Sequence, residues 1–330
     1  MSPGARRPGP PRRSRPVTAG PAAAEPAPAR PVTSVAAALT AGAAAGAARA
    51  AYAALSRRPP GGAATWARTN HRGDQLTLLE GPALAAGSVA VSAMGPGLPP
   101  RIRGALAVAG TGAAAFGGYD DLAGSGSRRG FRGHLGALAR GEVTTGAVKL
   151  GGIGATGVVS AALLGGGPVD AAINAGLVAG GANLQNLFDL RPGRALKVAL
   201  AGGALLATRP AARPAVAAPL GAAIGLLPED LGERAMLGDA GANALGALLG
   251  TTAAASLSRP ARLALLAMIT GLTAASEVVS FTAVIERTPA LRWLDMLGRR
   301  PVPAAAVPGR DDPPPAEPRE AGATAAAAPS

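Results

Sequence analysis

The sequence predicts an all-α fold, a polytopic membrane helix bundle of about nine to ten transmembrane helices, and three observations carry that prediction. Mean hydropathy is +0.25 although both ends of the chain are polar, so the stretch between them is more apolar still. Aromatic residues make up only 2% while glycine stands at 48 residues, a small-residue bias that lets helices approach closely inside a bilayer. Along the middle of the chain, nine apolar stretches alternate with polar connections.

Residues 1–31, opening MSPGARRPGPPRRSRPV, read as a disordered Pro/Arg/Ala-rich tail; 32–300 read as one transmembrane domain; 301–330 read as a second disordered tail. Arg12 and Arg13 precede the first apolar run, but no tidy cleavage site follows, so it reads as a retained span with a signal segment as the alternative. The apolar stretches run near 33–55, 81–95, 103–118, 146–164, 169–187, 195–208, 212–227, 236–257 and 261–283. Several fall short of the roughly 20 residues a helix needs to cross the hydrocarbon core, and close packing through Gly and Ala is the expected compensation.

Composition excludes several chemistries. With no cysteine, disulfides, thiolate catalysis and thiolate-bound metals are ruled out, and two histidines, His71 and His134, argue against a multi-histidine zinc site. A net charge of +13 with so few aromatic residues points away from nucleic acid and toward anionic lipid or phosphate-bearing substrates.

Orientation follows from the cations. Connections after the odd-numbered stretches hold thirteen arginines and lysines, among them Arg68, Arg72, Lys149, Arg194 and Lys197, against six after the even ones. The odd connections should therefore be cytoplasmic, which leaves the arginine-containing N-terminal tail outside, against the rule. The carboxylates gather on that same side: Asp74 and Glu80, then Asp120, Asp121 and Glu142, then Asp189, then Glu229, Asp230, Glu233 and Asp239. Asp170 alone falls in an even connection, and Glu277 alone falls inside an expected span.

For any one acid, the capping or solvated-end reading has the larger prior, since helix ends are normally polar. Three features shift it. Asp120–Asp121 is a like-charge pair directly after an apolar run (AAAFGGYDDLAG), which costs energy unless a cation neutralises it. Asp239 opens a span between glycines in MLGDAGANALG. Asn183, Asn186 and Asp189 recur at three-residue steps in NLQNLFDLRPG and so share one side of a helix. Oxygen donors gathered this way suit Mg²⁺, which takes one or two carboxylates plus substrate phosphates, with nearby cations for the phosphates themselves.

In order, GYDDL, RGFRGHLGALARGEVTTGAVKLGG, NLQNLFDLRPG and MLGDAGANALG resemble the polyprenyl-phosphate N-acetylhexosamine-1-phosphate transferases, which include the phospho-N-acetylmuramoyl-pentapeptide transferases. The resemblance spans residues 66–300. It implies a bacterial multi-pass plasma-membrane enzyme with its active face cytoplasmic. Such an enzyme is a phosphotransferase that uses Mg²⁺ to move a sugar 1-phosphate from a UDP-sugar onto polyprenyl phosphate, releasing UMP. It also implies roles by motif: Asp120 and Asp121, with Asp189, as catalytic carboxylates; Asp239 and Asp189 on the metal; Lys149, Asn183, Asn186, Asn70 and Arg72 toward substrate. The partners implied are the lipid phosphate, the nucleotide-sugar and the membrane, with no nucleic acid; a homodimer is compatible with the sequence.

Three departures from the family pattern stand in the chain. Glu286, Arg287, Arg292 and Asp295 occupy the place of a histidine cluster, Met236 that of a phenylalanine that stacks on uracil, and Pro192 that of a second aspartate. These motivate a second expectation, a non-catalytic relative that binds lipid phosphate or scaffolds envelope assembly. A secondary transporter is a third and weaker one, because transporter carboxylates tend to sit at the bilayer midplane.

Overall fold

The computed structural model describes residues 33–70, 72–124, 136–137 and 140–301. Expectations for the two tails, for His71, for His134 and for most of the segment after Asp121 lie outside those residues. Each of the nine apolar stretches forms a helix. These are α1 (Ser34–Arg57), α3 (Glu80–Met94), α4 (Pro100–Ala123), α5 (Thr145–Leu164), α6 (Pro168–Phe188), α7 (Arg194–Ala207), α8 (Arg213–Leu231), α9 (Gly238–Ser256) and α10 (Arg259–Ser276). Starts are written locally: Thr33 and Thr144 accept the Ala36 and Ala147 amides at 3.2 and 3.1 Å, and proline opens α4 and α6.

Helix α9 is the hub. It is buried along nearly its whole length and packs against α3, α4 and α6, with α7 and α8 beyond. Contact is backbone to backbone. A Cβ on Gly246 would fall on the Gly181 carbonyl of α6, and one on Gly241 would meet Gly81 of α3. Gly110 lies beside Leu248 and Gly117 beside Asp239, so α4 runs antiparallel to α9; Leu177 beside Gly250 and Gly181 beside Gly246 say the same of α6. Successive long helices thus alternate in direction, and the connections after the odd ones meet at one end of the bundle.

Two features depart from the expected pattern. The ninth stretch ends at Ser276 rather than running to 283; α11 (Phe281–Arg287) and α12 (Pro289–Met296) follow, α11 bent by 91° from α10. Ser280 accepts the Ala283 amide at 3.3 Å, an N-cap that starts a new helix where the old one would have continued. Glu277 therefore lies at a helix end, not inside a span.

The first odd connection holds a short helix, α2 (Ala63–Trp66), and a hairpin of β1 (Ala67–Thr69) with β2 (Gln75–Thr77). Thr77 exchanges backbone hydrogen bonds with the 234–236 segment, so the hairpin seats on the approach to α9. Strands of three residues are too short for an alternating pattern to show.

Among the described residues, α5 is long and apolar enough to cross a membrane by itself, and α10 with α11 passes only if the bent pair is one span. Alanine and glycine carry little hydropathy, and α3 and α7, at 15 and 14 residues, are short. Gly246→Val should lower the unfolding midpoint in detergent, by the roughly 1–3 kcal/mol that overpacking costs. Gly154→Ala, on α5 where a Cβ meets nothing, should keep or raise the midpoint, by up to the roughly 1 kcal/mol by which alanine exceeds glycine inside a helix.

Candidate functional site at the N-terminus of the hub helix

Helix α9 begins without a cap of its own. Leu237 stands at the N-cap position, and Gly238 takes φ +60°, leaving the first amides of the helix to find partners elsewhere. Asp121, at the end of α4, supplies two: its Oδ1 accepts the Asp239 amide at 3.0 Å and its Oδ2 the Ala240 amide at 2.9 Å. Asp189, just past α6, accepts the Gly238 amide. Two carboxylates at the electronegative ends of α4 and α6 thus sit on the electropositive end of α9, where the macrodipole favours them. The approach requires Gly117, since a Cβ there would collide with the Asp239–Ala240 peptide. Arg68 of β1 donates to the Asp121 carbonyl and completes the end of α4.

Lys149, in the second turn of α5, ties the remaining acids together. Its Nζ lies 2.7 Å from Asp120 Oδ2 and 2.6 Å from Asp239 Oδ2. The Asp120 and Asp239 carboxyl groups stand within hydrogen-bonding reach of each other, and Thr145 donates to Asp120. Among the described residues, no three His, Cys, Asp or Glu side chains are grouped closely enough to hold a metal ion. Two are enough for Mg²⁺ when phosphates complete its shell. Asp120 and Asp239 offer only oxygen donors and retain 16% and 23% side-chain exposure, so the donor set fits that ion.

Behind this pair lies a layer of buried acid. Asp189 is buried, and facing it are Glu80, fully buried at the start of α3, and Asp230, near the end of α8. Neither Glu80 carboxylate oxygen has a hydrogen-bond partner. Burial, and then the charges of Asp230, Asp239 and Asp121, push the Asp189 carboxyl well above the ordinary carboxylate range; the Gly238 amide offsets part of that.

The other expected site residues divide. Asn70 and Arg72 meet Glu233 instead of the aspartates: Asn70 Nδ2 donates to Glu233 Oε2 at 2.9 Å and Arg72 Nε lies 3.2 Å from Oε1. Asn70 Oδ1 also accepts the Arg72 and Asp74 amides, which shapes the hairpin turn. Asn183 turns to Thr273 of α10 at 3.5 Å, while Asn186 is half-buried one turn before Asp189. Met236 packs on the hairpin against Trp66, Leu76 and Leu78.

Of the four residues that the resemblance sets in place of a histidine cluster, Asp295 is buried in a bidentate pair with Arg194 at 2.7 and 3.2 Å, with Arg299 at 2.9 Å. These cations hold the Asp295 carboxyl below its ordinary value despite its burial. Glu286 stands 3.7 Å from Arg191, and Arg287 and Arg292 border a separate surface cavity.

No protein-family model matches the chain, and no curated protein matches it.

Sequence reading gathered Glu80, Asp230 and Glu233 with the other acids of the odd connections but did not select them. One signal was present for Asp230. An aspartate in the last turn of a helix opposes the macrodipole and needs a specific compensation. Glu80 carried no such signal, because an acid in a first turn is ordinary.

The raised Asp189 fixes the sign of a pH effect. Its contribution to stability is complete below the unfolded-state value near pH 4 and is lost as pH rises through the raised folded-state value. In divalent-free buffer the unfolding midpoint should therefore drop on going from mildly acidic to alkaline pH. Asp189→Asn should flatten that slope and be more stable than wild type at alkaline pH, by roughly 1–3 kcal/mol. A variant less stable than wild type at alkaline pH would contradict the assignment.

Proposed function

We propose that the chain is a polytopic membrane phosphotransferase of the polyprenyl-phosphate N-acetylhexosamine-1-phosphate transferase type. In this reading it moves a sugar 1-phosphate from a UDP-sugar to polyprenyl phosphate at the cytoplasmic face of a bacterial plasma membrane. The observation that carries the reading is the meeting of Asp120, Asp121, Asp189, Asp239 and Lys149, brought from four helices to one bundle end. Those are the positions the ordered motifs mark.

The distribution of apolar side chains supports a bilayer setting. Val158, Leu205, Ile224 and Met268 are 53–72% exposed on helix faces, while alanine is the commonest buried apolar residue, with leucines such as Leu106, Leu177 and Leu248 beside it. Large apolar residues exposed on the outer faces, with many alanines inside that let helices approach, suit helix packing in lipid. A site at the bundle end lets the lipid substrate arrive along the bilayer and the nucleotide from water.

The chemistry is a displacement at phosphorus. An oxygen of the lipid phosphate bonds to the β-phosphorus of the UDP-sugar, the bond from that phosphorus to the bridging oxygen breaks, and UMP departs. Two anions must meet, so positioning and charge neutralisation supply most of the rate. Asp120 and Asp239 would hold a Mg²⁺ ion, which would supply part of that neutralisation. Lys149 supplies a cation that can pair with phosphate, being already within hydrogen-bond range of both acids. Asp121 and Asp189 hold α9 so that Asp239 faces Asp120 and Lys149.

The same geometry favours one competing reading. Lys149 already neutralises the carboxylate pair, which suits a non-catalytic relative that binds lipid phosphate. Membranes containing the full chain, given UDP-N-acetylglucosamine and polyprenyl phosphate, should release UMP with Mg²⁺ and stop on adding EDTA. Asp239→Asn should lower the rate by at least about 100-fold. Folded protein that releases no UMP from a panel of UDP-sugars, but binds lipid phosphate with the aspartates replaced, would establish the competing reading instead.

A further inference from the structure

Beyond Ser276 the chain turns aside. Helix α11 leaves α10 at 91°, so with α10 across a bilayer α11 runs along its surface, at the bundle end that holds the aspartates. Both short helices that follow the bend are seated by polar groups. Arg194, at the start of α7, donates to Thr282 of α11 at 2.9 Å and holds Asp295 of α12 in the bidentate pair. Lys197 donates to the Leu294 and Asp295 carbonyls at 3.1 and 2.6 Å, and Phe281 stacks on Phe188 of α6 with ring centroids 5.3 Å apart. These contacts fix how α12 is rotated.

The rotation is the reverse of that expected for a helix on a water-facing surface. Asp295 faces inward, while Ala290, Trp293 and Leu294, at steps of three and four, face outward. Leu297 extends the stripe just past the helix, and Trp293, Leu294 and Leu297 are 64%, 50% and 53% exposed. An ion pair is thus kept inside and apolar side chains outside, which in water forgoes the burial that stabilises so short a helix.

Two observations choose what covers the stripe. It continues an exposed apolar surface that runs from Met268 and Leu272 of α10 to Val278 and Val279 at the bend. Exposed Arg287 and Arg292 also flank it, lining with Trp293 a cavity of about 440 Å³ at the junction of α11 and α12. The carboxylate lining the same cavity, Glu286, stands 3.7 Å from Arg191. Tryptophan among aliphatic side chains, with arginines beside it, is the composition of a helix at the headgroup boundary. A second copy docked two-fold on this elbow would crowd arginines against their own kind.

We infer that α11 and α12 form an interfacial elbow that binds anionic phospholipid, with Trp293, Leu294 and Leu297 among acyl chains and Arg287 and Arg292 on headgroup phosphates. The inference rests on the bilayer setting proposed above and not on the transferase chemistry.

The test uses the full chain in nanodiscs of phosphatidylcholine and phosphatidylglycerol in equal parts, with bromine on the acyl chains of one lipid or of the other. The chain has two tryptophans and Trp66 is buried, so the signal that disappears in Trp293→Phe reports residue 293. Should that variant fail to fold by thermal unfolding, Trp66→Phe leaves Trp293 alone and gives the same reading. Trp293 should be quenched by bromolipid, and more strongly when phosphatidylglycerol carries the bromine, with an enrichment of about fivefold for each arginine contact. Arg287→Gln combined with Arg292→Gln should keep the quenching and remove the difference between lipids. Equal quenching by both lipids in wild type, or a difference that survives in the folded double variant, would overturn the inference. Quenching by aqueous acrylamide alone would put the stripe in water, and protection from both quenchers would put a protein over it; either result overturns the inference as well. A chain that does not stay with the discs overturns the bilayer setting too, and is thereby told apart from an embedded chain whose Trp293 meets no lipid.

Discussion

The structure depends on how one helix begins. The sequence MLGDAG starts α9 with no Ser, Thr or Asn at its N-cap, so its first amides must be satisfied by residues remote in the chain. Asp121 and Asp189 do this from the ends of α4 and α6. Each contact serves two deficits at once, because the carboxylates would otherwise lie at the unfavourable ends of their own helices. The same contacts set the place of Asp239, which is why Lys149 can bridge it to Asp120.

Close approach of backbones makes this geometry attainable. Glycine at 81, 117, 181, 241 and 246 brings α3, α4 and α6 within reach of α9, so that short carboxylate side chains span the gap. Behind the capping layer, Glu80 and Asp230 remain buried among acids, an arrangement that does little for stability. At the far end of the bundle the balance is reversed, with arginines in excess around Asp170.

Much of the helical architecture was legible in the sequence because the long apolar runs, all but the ninth, coincide closely with the helices. The meeting of the aspartates was legible for a different reason. Alternating direction is what successive membrane spans require, and alternation by itself puts residues 120, 189 and 239 at one end. What could not be read depended on partners distant in the chain. Whether Asn183 faces the aspartates or Thr273 is decided by the rotation of α6 against α10, which steps of three residues do not determine. Asn70 and Arg72 were expected near substrate, but the hairpin brings them to Glu233, an acid 163 residues away from Asn70. The break after Ser276 was masked by the apolar residues around it, and Glu277 and the Ser280 cap are the two residues that mark it.

The chain has no cysteine, which permits a direct measurement of the central contact. A Cβ built on Gly118 lies 3.7 Å from the Ala240 Cβ, the separation that a disulfide requires. The double variant Gly118→Cys with Ala240→Cys, oxidised mildly in membranes, should form an intrachain bond nearly completely, detected by mass after thiol labelling. Failure to cross-link in folded protein would place the end of α4 away from the start of α9, and the carboxylate site described here would not exist.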